Sequence, residues 1–400
     1  MKKKICIITH THLCRNPRVL KEALCLYDAG FNISILNSIW SEDLYLEDLN
    51  LLNGTKIRIK PVSDLIKKDI HSFLDRLLKK IGILLNTYFK VETMFALGYA
   101  PLRYLSIAMK ESADLYICHQ ELPTYIGSRL LKKRKNVAFD LEDWYSEDLL
   151  PENRKERPLA LLKKLEKLAL SYPEKCWTTS HSMAKAMSKN YGTPLPQVIY
   201  NVFPSQHLTN TTAGKRPIKL FWFSQTIGRG RGLEEIISIL KEVNSTFELH
   251  LLGDCTESYK TIIKGLAANR FNITFHVLQP THLLSAYIEK FDLGLALELN
   301  EPLSRRYTIT NKLFQYLQAG LPVVATDTSG QQEIIRDTEA GLIINLFEKG
   351  ECISRLELLL NDAETFCRYR QKAIEAAKKY NWEVEKTKLL FIISEILPHD

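Results

Sequence analysis

Short β-branched apolar runs alternate with stretches of helical apolar spacing along most of the 400 residues. Residues 4–9 predict a strand. Residues 17–29 predict a helix, with Pro17 in its first turn and Gly30 just past its end. Residues 31–36 predict a second strand, and 114–118, 137–140, 175–178 and 198–200 predict further strands with helical segments between them. Such alternation implies an α/β class with a parallel sheet covered on both faces.

The polar, turn-rich segment PSQHLTNTTAGKRP, residues 204–217, breaks the pattern and predicts a linker. Beyond it the alternation restarts. Strands are predicted at 219–223, 247–252, 273–277, 293–297 and 322–326, and helices at 233–243, 311–319 and 361–380. The chain length fits two domains at roughly 100–200 residues each. The expected organisation is residues 1–203, a linker over 204–217, a second domain over 218–380 and a terminal helical segment over 381–400.

One predicted helix stands apart. Over 65–89 the apolar positions are 66, 70, 73, 74, 77, 78, 81, 84, 85 and 88, while Lys67, Lys68, Arg76, Lys79 and Lys80 occupy polar positions. A basic amphipathic helix suits the surface of an anionic membrane; the alternative is an ordinary helix packed on the sheet. A second basic cluster, Lys132 to Lys135, reads as a solvated helix end.

Composition narrows the classes. Hydrophobic residues make up 45% and charged residues 25%, ordinary for a folded domain. No run approaches the roughly 20 apolar residues of a membrane span. The apolar run after the N-terminal lysines is too short for a signal peptide, so a cytoplasmic protein is expected, with peripheral contact at the inner membrane face through the basic helix. The 8 Cys show no CxxC spacing, which fits free thiols in a reducing compartment and supports no zinc site. The net charge of +8 points to an anionic partner. Basic residues are not interleaved with aromatics in one stretch, and nucleic acid is not expected.

In open α/β sheets ligands bind at the carboxyl ends of strands, which selects a few loops. After the strand at 219–223 comes Ser224-Gln225-Thr226-Ile227-Gly228-Arg229-Gly230-Arg231-Gly232, then a helix. Gly228, Gly230 and Gly232 let backbone approach a ligand closely. The following helix N-terminus offers N–H groups to a phosphate, and Arg231 can hold a diphosphate by paired hydrogen bonds. Farther on, Thr310 or Asn311 is a candidate N-cap. Lys312 would then lie in the helix's first turn, against the dipole preference, which an anion docked there would explain. The loop from Asp327 to Glu333 follows the next strand.

NKLFQYLQAGLPVVATDTSGQQEII resembles the donor-site segment of family-4 retaining glycosyltransferases (glycosyl transferases group 1) of the GT-B fold. ICIITHTHLCRNPRVLKEALCLYDAGFNISIL is similar to that family's first βαβ unit, ADLYICHQE to the strand ending in its active-site histidine, and TTSHSMAKAMSKNYG with VIYNVF to the end of its first domain. RGRGLEEII resembles its phosphate loop. These pieces keep the family's order over roughly residues 4–345.

The resemblance implies two Rossmann-like doubly wound domains facing a central cleft, the first on the acceptor side and the second binding a nucleotide-diphosphate sugar. It implies that the final helix, with Trp382, crosses back to the first domain. Catalytic roles fall on His119, near the acceptor and the anomeric carbon, and on Arg231 and Lys312 at the leaving phosphate. Gln225, Gly228, Gly230, Gly232, Thr310, Asn311, Gln315, Gly330 and Glu333 would line the donor, and His10, His12, Asn16 and Glu142 the acceptor. The family's two donor-segment glutamates correspond to Tyr307 and Gln315, and its arginine in the phosphate loop to Gln225. Lys312, Arg305 or Arg306 would make up the positive charge.

The expected activity is metal-independent glycosyl transfer with retention, without a cofactor, from the nucleotide sugar to a glycan or lipid-linked acceptor in capsule, O-antigen, lipopolysaccharide or exopolysaccharide synthesis. Negative charge growing on the leaving diphosphate needs fixed positive groups, which arginine and lysine supply without a metal. The carboxylates of Asp140-Leu141-Glu142-Asp143 read as a polar loop rather than a metal site. Two alternatives share the fold: a nucleotide-sugar 2-epimerase, and a non-catalytic sugar-nucleotide-binding partner subunit.

Overall fold

The computed structural model describes residues 2–206 and 217–398. Most of the expected linker therefore lies outside the described residues. The chain forms two compact units, Met1–Ile199 with Lys386–Asp400, and Tyr200–Glu385.

In the first unit the strands are β1 (Lys4–Ile8), β2 (Asn32–Ile39), β3 (Arg58–Asp64), β4 (Leu115–His119), β5 (Val137–Leu141), β6 (Cys176–Thr178) and β7 (Gln197–Val198). They form one parallel sheet ordered β3-β2-β1-β4-β5-β6-β7. Its helices are α1 (Pro17–Asp28), α2 (Glu42–Leu51), α3 (Ile70–Phe89), α4 (Pro101–Glu111), α5 (Glu121–Lys132), α6 (Leu159–Leu170) and α7 (His181–Tyr191). Central strands β4 and β5 are buried along their length, as doubly covered parallel strands require. Asn16 starts α1 by accepting from Val19 N–H, with Pro17 in the first turn, and Ser180 starts α7 in the same way from Met183 N–H.

The second unit repeats the plan. Strands β8 (Ile218–Thr226), β9 (Phe247–Asp254), β10 (Asn272–His276), β11 (Leu293–Ala296), β12 (Val323–Thr326) and β13 (Gly341–Ile344) run parallel in the order β10-β9-β8-β11-β12-β13. Around them lie α8 (Leu233–Leu240), α9 (Glu257–Ala267), α10 (Thr281–Ile288), α11 (Asn311–Gln318), α12 (Ser329–Thr338), α13 (Lys349–Asn361) and α14 (Ala363–Lys379). Helix α15 (Trp382–Ile396) then carries the chain back into the first unit. On one sheet face Phe221 stacks on Phe291 with ring centroids 4.0 Å apart and meets Tyr316 edge-on. Burying each such ring contributes about 1.5–3 kcal/mol.

Several expectations need adjustment. The helix expected over 65–89 begins only at Ile70, because β3 runs to Asp64 and Asp69 caps the helix by accepting from Ser72 N–H. The helix expected over 361–380 begins at Ala363, where Asp362 interrupts the preceding α13 and caps α14. The strand expected at 198–200 is only Gln197–Val198. β3 and β13, both at sheet edges, have no counterpart in the sequence reading; Pro61 within β3 masks its strand character, and an edge strand tolerates it.

Candidate functional site

In the second unit, charged groups gather where β8, β11 and β12 end, the edge at which such sheets bind ligands. β8 runs on to Thr226, so Gln225 lies exposed at its tip rather than in a loop. The chain then turns through Gly228 to Gly232 into α8. Gly230 and Gly232 have φ of 73° and 77°, a region that L side chains rarely adopt. A Cβ on Gly232 would also lie 3.1 Å from Leu346 and 3.3 Å from Leu297. This fixed turn presents the half-buried Arg231.

The first turn of α8 carries Glu234 and Glu235. Acids in a helix's first turn suit its dipole, so this N-terminus carries negative charge of its own. The first turn of α11 has no acid and holds Lys312.

Lys312 Nζ stands 3.4 Å from Oε1 of Glu298, which follows β11, and 5.5 Å from the centre of the Trp222 ring. Burial pulls the Lys312 pKa below its ordinary value; Glu298 opposes this, and the nearby Arg231 and Arg305 add to it. Arg305 Nη1 is 4.0 Å from Glu298 Oε2 and donates to the Gly230 carbonyl at 3.1 Å. Three cations thus share one neighbourhood, and Glu298 is paired with two of them, Lys312 and Arg305. A half-buried cluster with this excess of positive charge favours an incoming anion.

The strand ends beneath are tied together. Thr326 Oγ1 accepts from Glu298 N–H and from Gln331 Nε2, both at 2.8 Å.

The remaining expected donor residues divide. Thr310 holds the N-cap position of α11, but its hydroxyl makes no capping bond and is buried without a hydrogen-bond partner. Asn311 is exposed and accepts from Asn201 Nδ2 at 3.1 Å. Gln315 is half-buried on α11. Gly330 has a packing reason, since a Cβ there would lie 2.5 Å from the Thr308 carbonyl oxygen and 2.7 Å from that of Tyr307. Glu333 lies within α12, not in the loop before it, and accepts from the Tyr200 hydroxyl at 2.7 Å.

The first unit brings its expected residues together in a different way. His119, at the end of β4, is fully buried. Its Nε2 lies 3.2 Å from Glu22, and its Nδ1 lies 3.1 Å from Glu142 and 3.3 Å from Asp140. Arg18 Nε donates to Asp140 at 2.5 Å, and Nη1 to the Ile199 carbonyl at 2.9 Å. Burial works against a charged imidazole, but Glu22, Asp140 and Glu142 overcome it and push the His119 pKa up to about 10. Burial and the neighbouring Asp140 raise the Glu22 pKa, while Arg18 and then His119 hold Asp140 below the ordinary range against its burial. His119 is thus fully buried among carboxylates that favour its charged form. Glu22, His119 and Asp140 are close enough together to hold a metal ion. The positive charge among them is that of His119 and Arg18.

Glu142 is the member of this network that reaches the surface, and Asn16 Nδ2 donates to its two carboxylate oxygens at 2.9 and 3.1 Å. His12 is fully buried, contrary to its expected acceptor role. Its Nδ1 meets Asp48 at 2.9 Å and its Nε2 accepts from Trp40 N–H at 3.1 Å. His10 does face open space. Its Nε2 lies 3.5 Å from Glu121, and burial lowers its pKa.

His10 also lines a pocket of about 450 Å³ with Trp40, Lys79, Tyr99, Glu121 and Arg157. Gln120, next in the chain to Glu121, has φ of 70°, and its Oε1 accepts from Thr9 Oγ1 at 2.8 Å and His10 N–H at 3.2 Å. A non-glycine residue in this region stores backbone strain, which is common at ligand sites.

A family model described as Glycosyl transferases group 1 matches residues 221–362, the segment that holds the cation cluster. Residues 221–362 are a glycosyl transferases group 1 domain. The sulfoquinovosyl transferase SQD2 of Arabidopsis thaliana is 27% identical over 164 residues, 40% of this chain and 30% of that protein. The chain spans about a third of the length of the curated relatives it matches, 30% and 37%. Among solved structures, sucrose-phosphate synthase from Thermosynechococcus elongatus superposes with a TM-score of 0.71 at 13% identity, covering 99% of both chains. HepE of Anabaena, in complex with UDP and glucose, gives a TM-score of 0.64 at 13% identity, covering 98% of this chain and all of that one. The group 1 domain and the unit before it thus share the GT-B fold, two Rossmann-like α/β units.

Sequence reasoning about this domain missed Glu298 and Trp222, and in the first unit it missed Arg18, Glu22 and Gln120. Arg18 and Glu22 carried a usable signal, since they share a face of a helix that is otherwise apolar on that side.

Proposed function

We propose that the chain transfers a sugar, with retention and without a metal or cofactor, from a nucleotide-diphosphate sugar to a glycan or lipid-linked acceptor in surface-polysaccharide synthesis. The observation that carries this is the cluster in which Lys312 and Arg305 share the carboxylate Glu298 while Arg231 adds its charge beside Lys312. One further negative charge develops on the already anionic diphosphate as it departs, and preorganised cations in a partly dehydrated site stabilise it without reorganising. Arg231 is suited to a bidentate grip, and Lys312 to a point contact at the helix end. HepE, with the same fold, holds UDP and glucose, which supports a uridine nucleotide as the first donor to test. Gln315 can accept a hydrogen bond from a ribose hydroxyl in place of the family's glutamate.

The pocket lined by His10, Trp40 and Tyr99 is the proposed acceptor site, because aromatic walls suit sugar faces and Lys79 and Arg157 suit an anionic group. Glu142, partly exposed and oriented by Asn16 and His119, is the polar group proposed to meet the acceptor. Among the described residues no helix is long and apolar enough to cross a membrane. A cytoplasmic enzyme working from the inner membrane face is the proposed setting.

Donor turnover is the test. The protein is incubated with EDTA and a panel of nucleotide sugars, with and without membrane-lipid extract, and released nucleoside diphosphate is measured. Release that survives EDTA and rises with extract supports the reading. Release that requires added divalent metal overturns the metal-free part. Interconversion of the free nucleotide sugar without any acceptor would mark an epimerase, and tight nucleotide binding without turnover under every condition a non-catalytic partner.

A further inference from the structure

Helix α3 is built inside out. The residues it turns toward the domain are polar or small: Ser72, Asp75, Gly82 and Asn86 are buried. Its large apolar side chains face away. Phe73 is 62% exposed, Leu77 39%, Ile81 41%, Leu84 41% and Tyr88 73%. At 100° per residue the exposed apolar positions form a broad stripe on the side opposite the buried polar one.

The helix is firmly held in this orientation. Asp75 accepts from Ser63 Oγ at 2.7 Å and pairs with Arg103, and Asn86 Nδ2 donates to the Lys155 carbonyl at 3.0 Å. A Cβ on Gly82 would lie 2.7 Å from Ala96 N and 2.8 Å from the Phe95 carbonyl carbon, so the helix backbone rests directly on that segment. Rotating the apolar stripe inward would bury Phe73 and Tyr88 only by breaking each of these contacts.

Charge indicates what covers the stripe. The exposed charged side chains of α3 are basic, Arg76 and Lys80, and Lys67, Lys68 and Lys90 continue the same sign at its two ends. Its one acid, Asp75, is buried and neutralised by Arg103. The carboxylate of Asp69 just before it is taken up in capping Ser72 N–H. A second copy packed on this face would bring Arg76 and Lys80 of both helices together with no exposed acid on α3 to answer them. Anionic lipid headgroups meet them directly, and the exposed rings of Phe73, Tyr88 and Phe89 suit the headgroup level.

We propose that α3 docks the protein flat on an anionic bilayer, with its apolar stripe in the interfacial region. A helix of this length lies along about 30 Å of membrane. Lys79, at the inner edge of α3, also lines the pocket beside His10, so the docked helix would supply part of that pocket's wall. The docking deepens the peripheral-membrane reading above. It is measured without turnover, so its failure and that of the transferase reading are distinguishable.

The experiment is co-sedimentation of the full chain with vesicles of phosphatidylcholine alone and of phosphatidylcholine with phosphatidylglycerol. Binding is expected to the anionic vesicles, to weaken with salt, and to fall at least about tenfold in Leu77→Ser/Ile81→Ser and in Arg76→Gln/Lys80→Gln. These positions are exposed, so unchanged circular dichroism and melting confirm that the variants are folded. Wild-type protein remaining in the supernatant at low salt overturns the proposal, as does unaltered binding of Leu77→Ser/Ile81→Ser. A concentration-dependent dimer lost in that same variant, without vesicle binding, assigns the stripe to a second copy instead.

Discussion

Lys312 and Glu298 face each other at 3.4 Å in the second unit, and positive charge is in excess around the pair, because Arg305 also reaches Glu298 and Arg231 lies close enough to act on Lys312. A buried ammonium held this way adds little to stability and much to anion affinity. Lys312→Met keeps the length of the side chain and removes the charge. Calorimetric titration with UDP is expected to show affinity reduced about 30-fold or more, while the melting temperature does not fall. Weaker folding with unchanged affinity would place Lys312 in the scaffold alone.

Arg231 has the geometry for the developing diphosphate charge. Arg231→Ala is expected to lower kcat/KM for the donor by about 100-fold or more, and Arg231→Lys to recover only part of it, because lysine lacks the planar fork. The measurement is initial-rate release of nucleoside diphosphate. Equal rates for both variants would remove the bidentate contact from the mechanism.

His119 should act through stability. Its pKa is held at about 10 in the fold against an ordinary 6.5. The folded state therefore binds the extra proton, so this contribution is fully present below about pH 6.5 and is lost as pH rises through about 10. His119→Ala leaves Glu22 and Asp140 short of a counter-charge and is expected to cost about 3–5 kcal/mol. Urea melts of both proteins across that pH window test it: the wild type loses stability toward high pH, and the variant follows a flatter profile. A wild-type profile that rises through this window would contradict the charged imidazole.

Gly330 supplies a test of packing beneath the donor loop. Gly330→Ala pushes a methyl group into the carbonyls of Thr308 and Tyr307, which are backbone and cannot swing aside. A loss of about 1–3 kcal/mol is expected, together with a higher KM for the donor, because the segment leading to α11 must shift. An unchanged melting temperature would mean that α12 moves freely.

The repeated strand-helix alternation was readable because the central strands are short, mostly apolar runs separated by helical patterns. The edge strands β3 and β13 were not, and Pro61 inside β3 masks that one. Arg231 and Lys312 were found through their loop and helix positions. Glu298 was not, because a single carboxylate after a strand has no spacing that marks it. Periodicity also predicted the amphipathicity of α3 but not its direction. The pattern is the same whether the apolar stripe faces in or out, and only the contacts of Asp75, Gly82 and Asn86 decide it. Arg18 and Glu22 are almost wholly buried in spite of their charges, because together with His119 and Asp140 they nearly neutralise one another.

The last residues of the chain, Lys386–Asp400, belong to the first unit, where Lys3 Nζ donates to the Pro398 carbonyl. During synthesis the first unit therefore leaves the ribosome without its closing helical segment, and the whole of the second unit is translated before Leu389 and Ile393 can be buried. The earlier unit must wait, partly open, for the later one. A ribosome stalled between residues 200 and 385 would release two incomplete bodies rather than one finished and one unfinished.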